Sequence, residues 1–460
     1  MSGGYTTAST LREHAGTSRL ALATALGVTP DGVVNNPMFF SGFPDRPDVL
    51  AAGLLAVADV AGSRYADVGL SQRVASLDPV VTAGGDILRF ESFSTCNGVH
   101  ARLDVLAEGL ATSTVGFGTT NVDINPPLRA ALARTSRTEA LHLSVGHGGL
   151  TASTPGASHV ERKVSLPDRW VRGLAEVPTI SASMSHRGTV RGPAIRKLLG
   201  ALPRVAPPGP FLHLVPAPGS WRIATHGSER SIPLPGATRL RGSERVTRYA
   251  RQLDVYSSPT GTTAWVFELP SSRLTLVLSP EPYRAFSGEG GLLMWLKDPS
   301  AETCGLELLP HLGWGHIIDP GRLADVSGMS PSEVTTSLAW LAASGRLGYD
   351  LSANAWFHRA LPVDVAAVLR RNPRLLSAQR LLEQDKVSQI EPGTWLVARS
   401  SNATYQVRAD RAAGKPSEAL EFSRPTLVCR CPWEEKHHGT RGPCKHVLAV
   451  AMSLRGVAAE

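Results

Sequence analysis

Between Pro47 and Tyr65 the apolar residues Val49, Leu54, Val57 and Ala61 recur about every 3.6 positions, which predicts a helix with one buried face. Shorter apolar runs broken by glycine turns follow. VVTA-GGD-ILRFESF from Val80 and ALHLSVG-HG-GLTAST from Ala140 predict strand pairs. Further hairpins are predicted over LHLVPAPGSWRIAT and AWVFELPSSRLTLVLS, and helices after Asp168 and after Gly192. Helices interspersed with hairpins, without a βαβ rhythm, point to an α+β, multi-domain fold.

From Asp319 to Pro362 the pattern tightens. GRLADVSG predicts a short helix closed by glycine. Ser330 then stands at an N-cap, Pro331 at the first helical position and Glu333 three residues after the cap, the signature of a capping box. Val334, Leu338, Leu341 and Ala342 form the apolar face of this second helix, Gly345 ends it, and Ser332, Thr335, Thr336 and Ser337 are expected to point outward. RLGYDLSANAWFHRAL follows as two short strands around an asparagine turn. Helix, turn, helix, hairpin is the order of a winged helix. Two more helices are predicted, one from Asp364 and one capped by Asn372 with Pro373 first, then a hairpin across Ser401 and Asn402.

These elements divide the chain into an α+β region at 1–310, a winged-helix-like module at 311–363, and a helical linker with a small metal-bound hairpin-helix at 364–460. The proline run at 203–210 either splits the first region or forms a long surface loop. The 460 residues are too many for one ordinary core. With 44 glycines and 34 prolines the chain is turn-rich without the composition of a disordered one.

No apolar stretch approaches the roughly 20 residues of a membrane span, and the first sixteen residues lack an apolar segment, so a cytoplasmic protein is expected. The net charge of +8 admits a nucleic-acid partner, yet only seven of the 47 basic residues are lysine, a bias that genome composition also produces.

Five cysteines, Cys96, Cys304, Cys429, Cys431 and Cys444, do not make a disulfide framework, because three crowd into sixteen residues. Cys96 and Cys304 are expected to be small buried apolar residues. Cys429-Arg-Cys431, then twelve residues, then Cys444-Lys-His446 and an apolar helix offers four ligands for one tetrahedral, structural Zn2+. His437 and His438 in the intervening loop are the competing ligands.

This C-x-C and C-x-H arrangement, with the preceding hairpin and the Cys-Lys-His-Val-Leu-Ala run, resembles the SWIM zinc finger over about Gly393 to Leu454. More loosely, LRFESFSTCNGVHARLDVL, GTTNVDINPPLRAAL, SPEPYRAFSGEGGLL and GYDLSANAWFHRALP resemble a bacterial family of SWIM-containing proteins with long N-terminal regions. The resemblance implies protein partners of the AAA+ ATPase and von Willebrand A-domain types and brings no biochemical activity.

Catalytic signatures are missing: there is no P-loop, nucleophile elbow or H-E-x-x-H in the sequence. Gly116 to Gly118 and Ser287 to Gly291 suit turns; Cys96 with His100, Asp123, His311 and His316 are isolated candidates without a supporting motif. A non-enzymatic adaptor is therefore expected, docking partners through its zinc finger and winged helix. The alternative is a DNA-binding regulator or a non-specific nucleic-acid binder. The second helix has no lysine or arginine before Arg346, which disfavours base readout. Arg430, Trp433, Lys436, Arg441 and Lys445 around the zinc ligands are the candidate contacts for nucleic acid or a partner.

Overall fold

The computed structural model describes residues 8–14, 16–65, 78–110, 114–146, 166–205, 212–217, 220–280, 286, 299–361, 372–398, 403–409, 427–437 and 442–456. It mixes helices with several sheets, the α+β class expected. The central element is a ten-stranded sheet, antiparallel throughout. Its order is Ser185–Arg191, Gln252–Ser257, Thr263–Leu269, Ser272–Leu278, Val99–Val105, Leu88–Phe93, Val80–Gly84, Phe117–Asn121, Gly27–Thr29 and Gly32–Val34. Strands from both sides of the proline run at 203–210 belong to it. The hairpins predicted at Val80–Phe93, Leu212–Thr225 and Ala264–Ser279 form; the second strand predicted after Val145 lies outside the described residues.

Successive side chains of a strand point to opposite faces, so register assigns each face its chemistry. Leu88, Phe90, Ala101, Leu103, Leu274 and Leu276 share one face and form a core with the helix Pro47–Gly62. That helix is buried nearly all round rather than along one stripe, because the 3-10 turn Ala237–Ser243 and the helix Glu244–Thr247 also pack on it. Gly53 permits the close approach: a Cβ there would lie 2.6 Å from Leu103 Cδ1.

On the other face the same strands carry charges in register. Arg89 stands opposite Asp104 and Asp104 opposite Arg273, while Glu91 stands opposite Arg102. This row is buried, covered by the helix Asp168–Ala182 and by the hairpin Leu347–Asp350 with Ala355–His358. The hairpin supplies the missing partners. Asp350 meets Arg89 at 3.2 Å and Arg273 at 3.3 Å, and Arg359 meets Glu91 at 2.9 Å. Arg102 donates to the Tyr349 carbonyl at 2.6 Å, and Arg89 lies 4.0 Å from the centre of the Phe357 ring. Four arginines (Arg89, Arg102, Arg273, Arg359) thus face Asp104, Asp350, Glu91 and the half-buried Glu268, and the charges balance.

Burial works to raise the Asp350 carboxyl, but Arg102, Arg273 and Arg89 hold it far below the usual carboxylate range. Burial likewise opposes ionisation of Glu91, and Arg359 with the His100 hydrogen bond overcomes it. His100 is pushed down by burial, against Glu91, whose hydrogen bond and charge work to raise it.

The hairpin closes the helix, turn, helix, hairpin order predicted for this stretch. The helices are Pro320–Ser327, ended by Gly328 at φ +71°, and Pro331–Ala343, whose Ser330 and Glu333 form the capping box. The outward face expected of the second helix holds in part: Ser332 is exposed. Ser337 is fully buried, and Thr335 and Thr336 are half-buried, because the helices Pro299–Leu308 and Asp168–Ala182 pack on it as well. Ala339, Trp340 and Ala343 are buried with the predicted apolar face.

The C-terminal part has its own core. Asn372 caps the helix Pro373–Glu383, as predicted. A four-stranded antiparallel sheet follows in chain order, Val387–Glu391, Thr394–Ala398, Thr404–Ala409 and Leu427–Cys429, and then the helices Pro432–His437 and Lys445–Gly456. Leu375, Leu381, Val397, Val407, Leu448 and Val450 pack together there. The helix predicted from Asp364 lies outside the described residues.

Candidate metal centre

The last strand of this small sheet ends at Cys429, held in register by Val407 on the neighbouring strand. Two residues on, Cys431 opens the helix Pro432–His437 and accepts from Glu435 N through its carbonyl at 3.0 Å. The chain returns through Gly442, at φ +71°, and Pro443 to Cys444, which precedes the final helix. Val447 N donates to Cys444 Sγ at 3.4 Å, so the N-terminal turn of that helix stabilises negative charge on the sulfur. His446, within the same turn, presents Nδ1 at 3.8 Å from both Cys429 Sγ and Cys444 Sγ.

One ligand atom from each of these four residues lies within 4.8 Å of the others, and all four residues are buried. This is a Cys3His site that can hold one metal ion. The donor set passes a chemical test as well. The Cys431 thiol accepts hydrogen bonds from Cys429 and Cys444 and is held far below the ordinary thiol range, whereas those contacts push Cys429 far above it. Three buried sulfurs this close together cannot all ionise without a counter-charge, which a divalent cation supplies. Tyr405 stacks on the His446 ring at 4.6 Å and fixes its plane.

Around the ligands a second layer holds the loop. Arg374, on the capped helix, donates to the Pro443 carbonyl at 3.0 Å, and its guanidinium lies 4.5 Å from the centre of the Trp433 ring. Trp433 Nε1 donates to the Gly442 carbonyl at 3.2 Å. The two side chains thus brace the Gly442–Pro443 turn that presents Cys444. Sequence spacing finds the four ligands but not Arg374, which comes from 70 residues upstream of Cys444 and carries no local signal.

Of the other candidates, Arg430 and Lys436 are exposed beside the ligands, Lys445 and Trp433 are half-buried, and Arg441 lies outside the described residues. His437 packs its ring against Trp433 rather than joining the cluster, and His438 is not described. The remaining isolated candidates are dispersed. Cys96 is buried with its sulfur 3.5 Å from Ser94 Oγ, while His100 bonds Glu91 at 3.2 Å. Asp123 is buried, His311 is exposed, and His316 pairs with Asp86 at 2.6 Å. Cys304 is only half-buried, against the expectation of a buried thiol, because its helix presents one side to solvent. Among the described residues no helix is long and apolar enough to cross a membrane.

No family model matches this chain, and no curated protein matches it. Among solved structures it is similar to the proliferating cellular nuclear antigen of Entamoeba histolytica, with 10% identity and a TM-score of 0.34 over 53% of this chain and 100% of that one. A PCNA2–PCNA3 complex from Sulfolobus tokodaii gives 6% identity and a TM-score of 0.33 over 53% of this chain and 99% of that one. At these scores no common fold follows.

Proposed function

We propose that this protein is a cytoplasmic, non-enzymatic adaptor whose C-terminal SWIM-type finger is built around one structural Zn2+. The observation that carries the reading is the closure of Cys429, Cys431, Cys444 and His446 on one another inside a core. Four such ligands complete a tetrahedral zinc site, with sulfur at about 2.3 Å and nitrogen at about 2.0–2.1 Å, and leave no position for a reacting water. When bound, the ion acts as a crosslink between the strand end at Cys429 and the final helix.

We assign the stretch 320–358 as a winged helix used for packing rather than for DNA. Its hairpin is engaged by the charges of the large sheet, and its second helix is buried along its C-terminal half. Docking then falls to the finger and the surfaces around it, and the AAA+ ATPase and von Willebrand A-domain types implied by the resemblance are the partners we propose. Affinity capture with the full-length chain from nuclease-treated lysate tests this. Recovery of such a partner by the wild type, and its loss with Cys444→Ser, supports the adaptor; recovery only without nuclease contradicts it.

Exposed Arg430 and Lys436 beside the finger favour a second reading, non-specific nucleic-acid binding. In that case log affinity falls against log salt with a slope of about −3 to −5, and reversing Arg430 and Lys445 to glutamate abolishes binding while zinc is retained.

A further inference from the structure

The ten-stranded sheet ends on one side at Ser185–Arg191, which pairs with Gln252–Ser257. Its outer edge meets no further strand among the described residues, and Ser185, His186, Arg187 and Arg191 are exposed. Such an edge offers a row of backbone N–H and C=O groups that an added strand can take up. The strand is regular from Gly188 to Arg191, after a bulge between His186 and Gly188. The half-buried Trp221 lies over it on one face: a Cβ at Gly188 would lie 2.6 Å from the indole Cζ2. Side chains alternate, so Arg191 falls on the opposite face, where its Nε donates to Gln252 Oε1 at 3.0 Å.

A second observation is the charge around that edge. From Val177 to Ser228 the chain has no aspartate or glutamate but carries Arg187, Arg191, Arg196, Lys197, Arg204 and Arg222, all exposed. Arg196 and Lys197 ride on the helix Pro193–Gly200 and Arg222 on the strand Ser220–Ala224, and both elements pack against the edge strand. None of the six forms an ion pair with a carboxylate among the described residues. The carboxylate beside the strand, Asp254, is 8% exposed and already taken by His186, Thr189 and Gln252. Edge charges and a bulge ordinarily keep a sheet from pairing with its own copies, and a second Ser185–Arg191 strand would bring like charges together here. An acidic strand meets no such barrier.

We propose that this edge docks an extended acidic segment of a partner protein, added as a further strand alongside Gly188–Arg191. The segment's backbone fills the open row of hydrogen-bonding groups. Its carboxylates meet Arg187 and Arg191 and, at the flanks, Arg196, Lys197 and Arg222, while an apolar side chain between them covers Trp221. Phosphates of a nucleic acid would satisfy the cations and the N–H groups but not the carbonyls of the edge; a peptide strand satisfies all three. The surface stands apart from the zinc finger in sequence and in core, so the two are tested separately.

The test is fluorescence anisotropy on the full-length protein with three labelled probes: an octapeptide alternating glutamate and valine, its lysine–valine counterpart, and a single-stranded oligonucleotide. The expected result is saturable binding of the acidic peptide alone, weakened about tenfold or more in Arg187→Glu/Arg191→Glu and unchanged in Cys444→Ser. Amide hydrogen exchange at Gly188–Arg191 is expected to slow when the peptide is bound. Arg196→Glu/Lys197→Glu, on the neighbouring helix, is a second variant expected to weaken binding, and thermal unfolding shows that both variants are folded. Absence of saturable acidic-peptide binding overturns the proposal, as does equal affinity in both folded variants, equal binding of the lysine peptide, or binding without slower exchange in the strand. Variant-sensitive binding of the oligonucleotide in place of the peptide assigns the edge to nucleic acid and likewise overturns it.

Discussion

Arg359 Nη1 lies 2.9 Å from Glu91 Oε1 and 3.2 Å from Oε2, although 268 residues separate the two in sequence and both are almost wholly buried. Arg359 also donates to the carbonyls of Leu174 and Leu347, so one side chain ties the sheet, its covering helix and the hairpin together. Pairs like this give modest net stability but are expensive to break from one side, because the surviving charge stays buried.

A double-mutant cycle should expose that asymmetry. Glu91→Gln and Arg359→Met are each expected to lower unfolding free energy by about 3–5 kcal/mol. The double substitution is expected to lose less than the sum by about 1–3 kcal/mol. Urea unfolding of the four proteins measures it, and strict additivity would mean that the pair is not coupled.

His358 predicts a pH dependence. Its ring stacks on Trp314 at 3.9 Å, and burial depresses its pKa to about 4. Between that value and the unfolded histidine's value near 6.5, the unfolded chain binds the proton and the native one does not. Stability is therefore complete above about pH 6.5 and falls as pH drops toward 4, by about 3 kcal/mol from this group. Glu91 and Asp350, both depressed, add their losses only in stronger acid, below the ordinary carboxylate values near 4. His358→Phe should make the profile between pH 6.5 and 4 shallower and leave the acid limb unchanged, His100, also pushed down by burial, keeping its own share of the upper limb. Thermal unfolding across pH distinguishes the two limbs; an unchanged slope in the variant counts against a neutral buried His358.

How much of this was legible in sequence depends on the range of the determining contact. The capping box at Ser330 and Glu333, the Asn372 cap and the four residues of the metal site were legible because each is settled within a few residues. The charged face of the large sheet was not. Arg89 and Glu91, then His100, Arg102 and Asp104, alternate with apolar residues in the pattern that normally marks a strand wet on one side. What buries them is a hairpin some 250 residues further on, whose Asp350 and Arg359 carry no signal of their destination. The error at Ser337 has the same origin, since a small polar residue on a helix is drawn under by neighbours that the local pattern does not announce.

The helix Pro331–Ala343 leads to a negative result. With Ser337 and the C-terminal half buried and no basic residue before Arg346, the helix lacks the side chains to read a major groove. Selection from a random duplex library with the full-length protein is expected to return no motif. Enrichment of a defined site, lost on changing Thr335 and Thr336 to alanine, would show that the helix meets DNA after all.

The proposed zinc site underlies the rest of the account, and elemental analysis tests it most directly. Apparent binding energies of structural zinc, about 10–16 kcal/mol, are large against the core of so small a module. Full-length protein purified without added metal should carry one zinc per chain, and Cys444→Ser should carry none while keeping the ten-stranded sheet folded. Metal-free wild-type protein with an intact C-terminal sheet and helix would contradict the account.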